Sequence, residues 1–293
     1  MKKIPFTGTI LFLIVVSITA SGQQSQIEEP YKPGPDAQRQ EGIPKGTVTT
    51  VLWESKVYPN TKRNYYVYVP AQYDARKPAA LMIFQDGHAY LNEEGDFRTT
   101  IVYDNLIHRK ELPVTICLFV DPGYFSNAPV PENFFRSGNR SFEYDDLSDQ
   151  YATFLMTELI PELKKKYNIS DDPKMHGIGG LSSGAICAFT AAWTHPEYFH
   201  KVLSHIGSYA DIRGGDRYPA LIRKSGRKDI RIFLQDGNQD LSNIYGDWWL
   251  ANLQMESAFK FKGYDYKFAS GVGGHNGKHA GSILPEALKW LWN

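Results

Sequence analysis

The sequence predicts an α/β protein with a mostly parallel central sheet, antiparallel N-terminal strands and helices on both faces. Three observations carry this expectation. Five short apolar runs (Leu81–Phe84, Val114–Val120, Met175–Ile178, Val202–Ile206 and Ile230–Leu234) are bounded by Gly, Pro or Asp, as strands buried on both faces are. Stretches with apolar residues at helical spacing lie between them. Ahead of them come two segments rich in β-branched and aromatic residues, joined by a turn.

Taken in order, Thr47–Ser55 and Tyr65–Val69 are the opening strands, with Pro59-Asn60 in the turn between them. Tyr151, Phe154, Leu155, Leu159 and Leu163 mark one face of a helix. Asp145, Asp146 or Ser148 can cap its start, and Pro161 should kink it. Ser183–Trp193 reads as a buried helix that His195-Pro196 ends. Tyr264–Ala269 alternates and is expected near a sheet edge, and Ile283, Leu284, Ala287, Leu288 and Leu291 form the stripe of a last helix.

The composition narrows the class. The 293 residues include 32 basic and 32 acidic side chains, so no basic surplus exists to displace counterions from phosphates, and nucleic acid is not an expected partner. At 42% hydrophobic and 14% aromatic, the chain can bury a full core, which excludes a disordered protein. Lys2 and Lys3, the apolar run from Ile10 to Val16 and the small residues Ala20, Ser21 and Gly22 form the pattern of a secretory signal peptide over residues 1–22. The run is short for a membrane span, so no stable insertion is expected after cleavage, and the mature protein is expected in a periplasm or outside the cell. Residues 23–46, with Pro30, Pro33, Pro35 and Pro44, read as an extended Pro/Gln-rich leader, and 47–293 as the folded domain. Cys117 and Cys187 lie in apolar segments and read as core residues. Neither has a second Cys or a His at ligand spacing, so no metal is expected.

The chemistry-bearing signal is Gly180-Leu181-Ser182-Ser183-Gly184. As a bare G-x-S-x-G pattern it is weak, and a glycine-rich β–α turn would look the same. Its context is stronger, because an apolar strand leads into it and a buried helix leaves it, the arrangement of a nucleophile elbow. The motif's phase makes Ser182 the nucleophile and aims the Ser183 N–H at an oxyanion hole. A serine nucleophile needs a base and an orienting acid, which in such sheets follow in the order Ser, Asp or Glu, His. Asp240 is the preferred acid, in the loop after Ile230–Leu234. Asp236 competes at the strand end, and Asp247 suits an N-cap. His275 is the preferred base, in the glycine-rich loop after the last strand, with His279 as rival. The second oxyanion donor is expected at Gly87 or His88, after Leu81–Phe84.

These residues, together with Phe84-Gln85-Asp86-Gly87, Asp121-Pro122-Gly123, Asn139-Arg140-Ser141-Phe142-Glu143-Tyr144-Asp145 and Phe233-Leu234-Gln235-Asp236-Gly237, give a chain that resembles the esterase D-type α/β-hydrolases over roughly 47–293. Within that family it resembles most the enterochelin (enterobactin) esterase-like proteins and the feruloyl and acetyl carbohydrate esterases. The resemblance implies the α/β-hydrolase fold, cofactor-free ester hydrolysis and a Ser182, Asp240, His275 triad. Ala185 departs from the glycine pair that follows the nucleophile in many relatives, a change that bears on the shape of the acyl pocket. Acetyl or feruloyl-type esters of carbohydrate or phenolic scaffolds are the expected small-molecule or oligosaccharide substrates. An anionic siderophore trilactone is the alternative; Arg136, Arg140 and Arg213 could face it, unless Arg140 pairs with Glu143 or Asp145, and Glu143 is itself a candidate substrate contact. Tyr124, Phe125, Phe134, Phe135, Trp248 and Trp249 could stack on an aromatic acyl group or sugar, and the segment Asp121–Tyr144 is expected to rim the cleft. Two further readings stay open: an acyltransferase with a sugar hydroxyl as acceptor, and a silent binding module. The sequence does not set an oligomeric state.

Overall fold

A computed structural model describes residues 30–293. The expected signal peptide, and the first part of the leader, lie outside the described residues. Among the described residues eleven strands form, β1 (Thr47–Glu54), β2 (Thr61–Val69), β3 (Ala80–Gln85), β4 (Thr115–Val120), β5 (Tyr124–Phe125), β6 (His176–Leu181), β7 (Lys201–His205), β8 (Arg231–Gly237), β9 (Ser242–Asn243), β10 (Gly246–Asp247) and β11 (Asp265–Gly271). The main sheet runs β1-β2-β4-β3-β6-β7-β8-β11, with the two-residue β5 paired to β2 and β9-β10 forming a separate small ribbon. β1 and β2 are antiparallel, joined through Asn60 at positive φ, and β2 is antiparallel to β4. From β4 to β11 every neighbouring pair is parallel.

The continuous apolar runs have a simple cause: side chains alternate across a strand, and here both faces are covered. Leu81 and Ile83 of β3, with Ile116, Leu118 and Val120 of β4, face a core completed by the helices Ser183–Thr194, Tyr218–Lys224 and Trp248–Lys262. Met82 and Phe84, with Cys117 and Phe119, face the opposite core under the helices Thr99–His108 and Leu284–Trp292. Cys117 and Cys187 are free and buried, and burial pushes both thiols up, as suits inert core residues. β11 is the edge strand.

Two regions add what the sequence does not show. Pro161 sits inside its helix. The chain stays helical from Gln150 to Lys164, with Leu155–Leu159 widened into a π-helical turn ahead of Pro161. The wider turn accommodates the absence of a proline N–H. The leader from Pro30 onward is docked: Ala37 is fully buried, Asp36 pairs with Arg109 at 2.7 Å, and Arg39 bonds to the buried Asp104 and to Glu93. Tyr31 stacks on His279 with ring centroids 4.1 Å apart.

Candidate active site

The carboxyl ends of β3, β6, β8 and β11 open onto one crevice, where ligands bind in open α/β sheets. At the end of β6 the chain turns directly into the helix Ser183–Thr194, and Ser182 at the corner has φ 57° and ψ −124°. That backbone is strained for a residue with a side chain, and it lifts the hydroxyl out of the turn. The corner closes only because its flanks are glycines. A Cβ at Gly180 would meet the Gly184 carbonyl carbon and oxygen at 2.4 Å, and one at Gly184 would meet Asp86 Oδ2 at 2.7 Å. The Ser182 N–H donates to the His205 carbonyl at 2.9 Å, and the N–H groups of Ala185 and Ser208 donate to the Ser182 carbonyl at 3.0 and 3.2 Å.

The structure brings the three expected residues together. Ser182 Oγ lies 2.8 Å from His275 Nε2, and His275 Nδ1 lies 2.5 Å from Asp240 Oδ1. The Asp240 side chain is fully buried, whereas the imidazole keeps about a fifth of its surface exposed. Asp240 sits three residues beyond β8 and His275 four residues beyond β11, so three loops from one sheet edge supply the set. A carboxylate at Nδ1 fixes the tautomer with a proton there, which leaves Nε2 to accept from the serine. Of the rivals, Asp236 is buried directly behind Asp240, while His279 lies under Tyr31 and accepts from Gln235 Nε2 at 3.1 Å. Asp247 caps the helix Trp248–Lys262 by accepting from Leu250 N–H at 2.9 Å.

Ser208, which no sequence signal marks, completes the arrangement. Trp248 Nε1 donates to Ser208 Oγ at 3.0 Å, which turns the Ser208 proton toward Ser182 Oγ, 3.1 Å away. Ser182 then directs its own proton at His275. The Trp248 ring stands edge-on to the imidazole, with centroids 6.0 Å apart. Trp248 thus supports the triad from a buried position and is not on the cavity wall.

Oxyanion donors are available on one side and contested on the other. The Ser183 N–H belongs to the first turn of its helix, where no intrahelical acceptor exists. Asp86 adopts the left-handed conformation, and Gly87 and His88 start the short helix Gly87–Leu91. The His88 N–H donates to Asp121 Oδ1 at 2.9 Å, and its ring Nδ1 lies 2.8 Å from the same oxygen. An oxyanion would therefore share the His88 N–H with a carboxylate or use Gly87.

A cavity of about 600 Å³ lies over Ser182, lined among others by His88, Phe97, Phe135, Arg140, Leu181 and Ile206. Of the residues expected to bind substrate, Arg140 and Phe135 line it. Arg140 pairs with neither Glu143 nor Asp145 but bidentately with the buried Asp86, at 2.7 Å for both bonds. Glu143 is held inside by Arg63 at 2.6 and 2.8 Å and by Asn139 at 2.6 Å. Tyr124 is buried beside Lys62, and Arg213 lies over the Phe142 ring at a second cavity of about 470 Å³. These three are corrected from substrate contacts to supports, because each finds its partner away from Ser182. Trp249 packs on Phe268 of β11, and Arg136 is exposed. Asp121–Tyr144 does reach the rim, through Phe135 and Arg140, but much of it is ordered as β5 and the helix Gly138–Tyr144. No cluster of three or more His, Cys, Asp or Glu side chains suited to a metal occurs among the described residues.

The sheet order and the strand–turn–helix corner define an α/β-hydrolase. The family model described as "Putative esterase" matches residues 56–291, so the chain belongs to this esterase family and is a carboxylic ester hydrolase. Iron(III) enterobactin esterase of Escherichia coli is 24% identical over 216 residues, 72% of this chain and 49% of that one, so the chain spans about half the length of that relative. The uncharacterized protein YbbA of Bacillus subtilis is 20% identical over 78% of this chain and 92% of its own. Among solved structures, the enterobactin esterase of Shigella flexneri superimposes with TM-score 0.70 at 21% identity, covering 90% of this chain and 62% of that one. A ferulic acid esterase from the fungus Anaeromyces mucronatus gives 0.67 at 14% identity, covering 90% and 96%.

Proposed function

We propose that the chain is an exported serine esterase that works through an acyl-enzyme on Ser182. The observation that carries this reading is the unbroken chain from Ser182 Oγ to His275 Nε2 and from Nδ1 to Asp240, at 2.8 and 2.5 Å. Ser182 Oγ attacks the ester carbonyl while His275 Nε2 takes its proton. Asp240 remains ionised and holds the imidazolium. The Ser183 N–H and the Gly87–His88 turn receive the tetrahedral oxyanion. His275 then returns the proton to the departing alcohol, and water, deprotonated by the same nitrogen, releases the acid and restores Ser182.

For the substrate we favour small or aromatic acyl esters of carbohydrate or phenolic alcohols. The cavity supports this with Phe97, Phe135, Leu181 and Ile206, and its single arginine is already bonded to Asp86. With that arginine committed, the named lining residues offer no other Arg or Lys, which disfavours a siderophore bearing several negative charges. The test is steady-state hydrolysis of p-nitrophenyl acetate by the mature protein and by Ser182→Ala. The mutant should lose at least roughly 10³-fold in kcat, and equal activity would reject Ser182 as nucleophile. Feruloyl, acetyl-xylan and trilactone esters then rank the substrates, and sugar acceptors report any acyl transfer. Export is checked by fractionating cells and sequencing the mature N-terminus, which should begin near residue 23.

A further inference from the structure

Two carboxyl groups lie together behind His275. Asp236, the penultimate residue of β8, is fully buried, and its Oδ1 accepts the Gly237 N–H at 2.7 Å. Asp240 follows in the same loop, with its side chain equally buried and its Oδ1 on His275 Nδ1. Each acid keeps a second oxygen, Oδ2, that is sealed from solvent and receives no N–H group. Both acids sit on one tight turn, closed by the Asp240 N–H on the Gly237 carbonyl at 3.1 Å, which brings the two side chains within hydrogen-bonding reach of one another. Two ionised carboxylates cannot share so dry a space, because each would be desolvated and face a like charge. One proton between them removes both penalties. It belongs on Asp236, since Asp240 must stay anionic to hold the His275 Nδ1–H.

We propose that Asp236 is a positioning residue: it stays protonated at neutral pH and donates a hydrogen bond to Asp240, so that Oδ1 of Asp240 remains aimed at His275. This inference rests on the triad reading above. Burial first, and then the adjoining Asp240, push the Asp236 carboxyl up to about 9, against the opposing pull of the Gly237 N–H and the Asn252 side chain. The titratable groups facing Asp236 are Asp240 and, beyond it, His275. Gly237 and Asn252, the latter from the helix Trp248–Lys262, are its uncharged neighbours. When Asp236 ionises, the donor becomes a second anion and the bond turns into repulsion. The loss of activity therefore belongs to the alkaline side.

The experiment compares wild type, Asp236→Asn and Asp236→Ala, with Ser182→Ala as reference. It measures kcat and KM for phenyl acetate from pH 6 to 10 and thermal unfolding from pH 4 to 9. Asn can still donate to Asp240, so Asp236→Asn should stay within about threefold of wild-type kcat at pH 7.5 and lose the decline near pH 9. Asp236→Ala should lose about 10- to 100-fold in kcat with little change in KM, the usual effect of removing a group that orients a catalytic residue. Melting reads the proton independently. Between about pH 4 and pH 9 the folded wild type keeps a proton that the unfolded chain releases, so its stability falls as pH rises, by linkage. Asp236→Asn has no such slope, and its melting temperature should gain on wild type as pH increases. Equal kcat for the Asn and Ala variants, or a melting difference that does not change with pH, overturns the proposal. If the Ala variant does not fold, wild type against Asn decides through both pH profiles. Full activity in Ser182→Ala would instead sink the triad reading, while the melting comparison would still report the proton on Asp236.

Discussion

Buried acids flank the cleft on two sides and are handled in opposite ways. On the β3 side two of them are matched with arginines: Asp86 with Arg140, and Glu143 with Arg63, the latter pair wholly buried. On the β8 side Asp240 and Asp236 face each other and a histidine. The first arrangement leaves no charge available, and its geometry ties the helix Gly138–Tyr144 to the turn after β3. The second leaves a proton and a negative charge incompletely compensated, which is the condition proton transfer requires. Scaffold and chemistry thus use the same residue types and differ in what stands opposite each carboxylate.

Substitutions can break this comparison. The largest effect is expected from Asp240→Asn, which keeps shape but presents the wrong partner to Nδ1. Its kcat should fall by about 10⁴-fold with little change in melting temperature. Activity within tenfold of wild type would place Asp240 with the scaffold acids. Arg63→Met should do the reverse. It leaves Glu143 buried without its cation, at a cost of about 3–5 kcal/mol in stability. Denaturant unfolding measures this, and the folded fraction should still turn over ester. A variant as stable as wild type would show that the Gly123 N–H and Asn139 suffice for Glu143. Smallest is Ser208→Ala, which removes one hydrogen bond to the nucleophile. About a tenfold loss in kcat/KM is expected from one such bond, with about 1–3 kcal/mol lost in unfolding because the buried Trp248 N–H loses its acceptor. No loss would mean that the strained backbone alone aims Ser182.

The β8 side was more legible in the sequence than the β3 side. Strands buried on both faces write themselves as apolar runs, and an elbow needs glycines at fixed offsets, so Ser182 can be found without coordinates. Asp240 and His275 follow because each must hang from the end of a strand. The partners of Arg140 and Glu143 were not legible, since Asp86 and Arg63 lie 54 and 80 positions away. A charged residue carries no mark of which distant charge it will meet. Ser208 was hidden for a similar reason: it matters only because β7 ends beside β6 and an indole reaches it from a later helix. The π-helical turn before Pro161 was invisible because a proline in a helical pattern announces a disturbance and not the form it takes.

The docked segment ahead of β1 changes where this domain can be cut. Asp104 is fully buried and takes hydrogen bonds from the Tyr68 hydroxyl at 2.6 Å, the Gly46 N–H at 2.8 Å and Arg39. Two of those three donors precede Thr47. Tyr31, from the same stretch, covers His279 and receives the Val272 N–H at 2.9 Å. A gene trimmed to begin at the first strand would encode Ser182, Asp240 and His275, yet it would strand a carboxylate in the core and uncover the loop that carries His275. The unit to express, transplant or fuse is therefore longer than its sheet and begins before Tyr31.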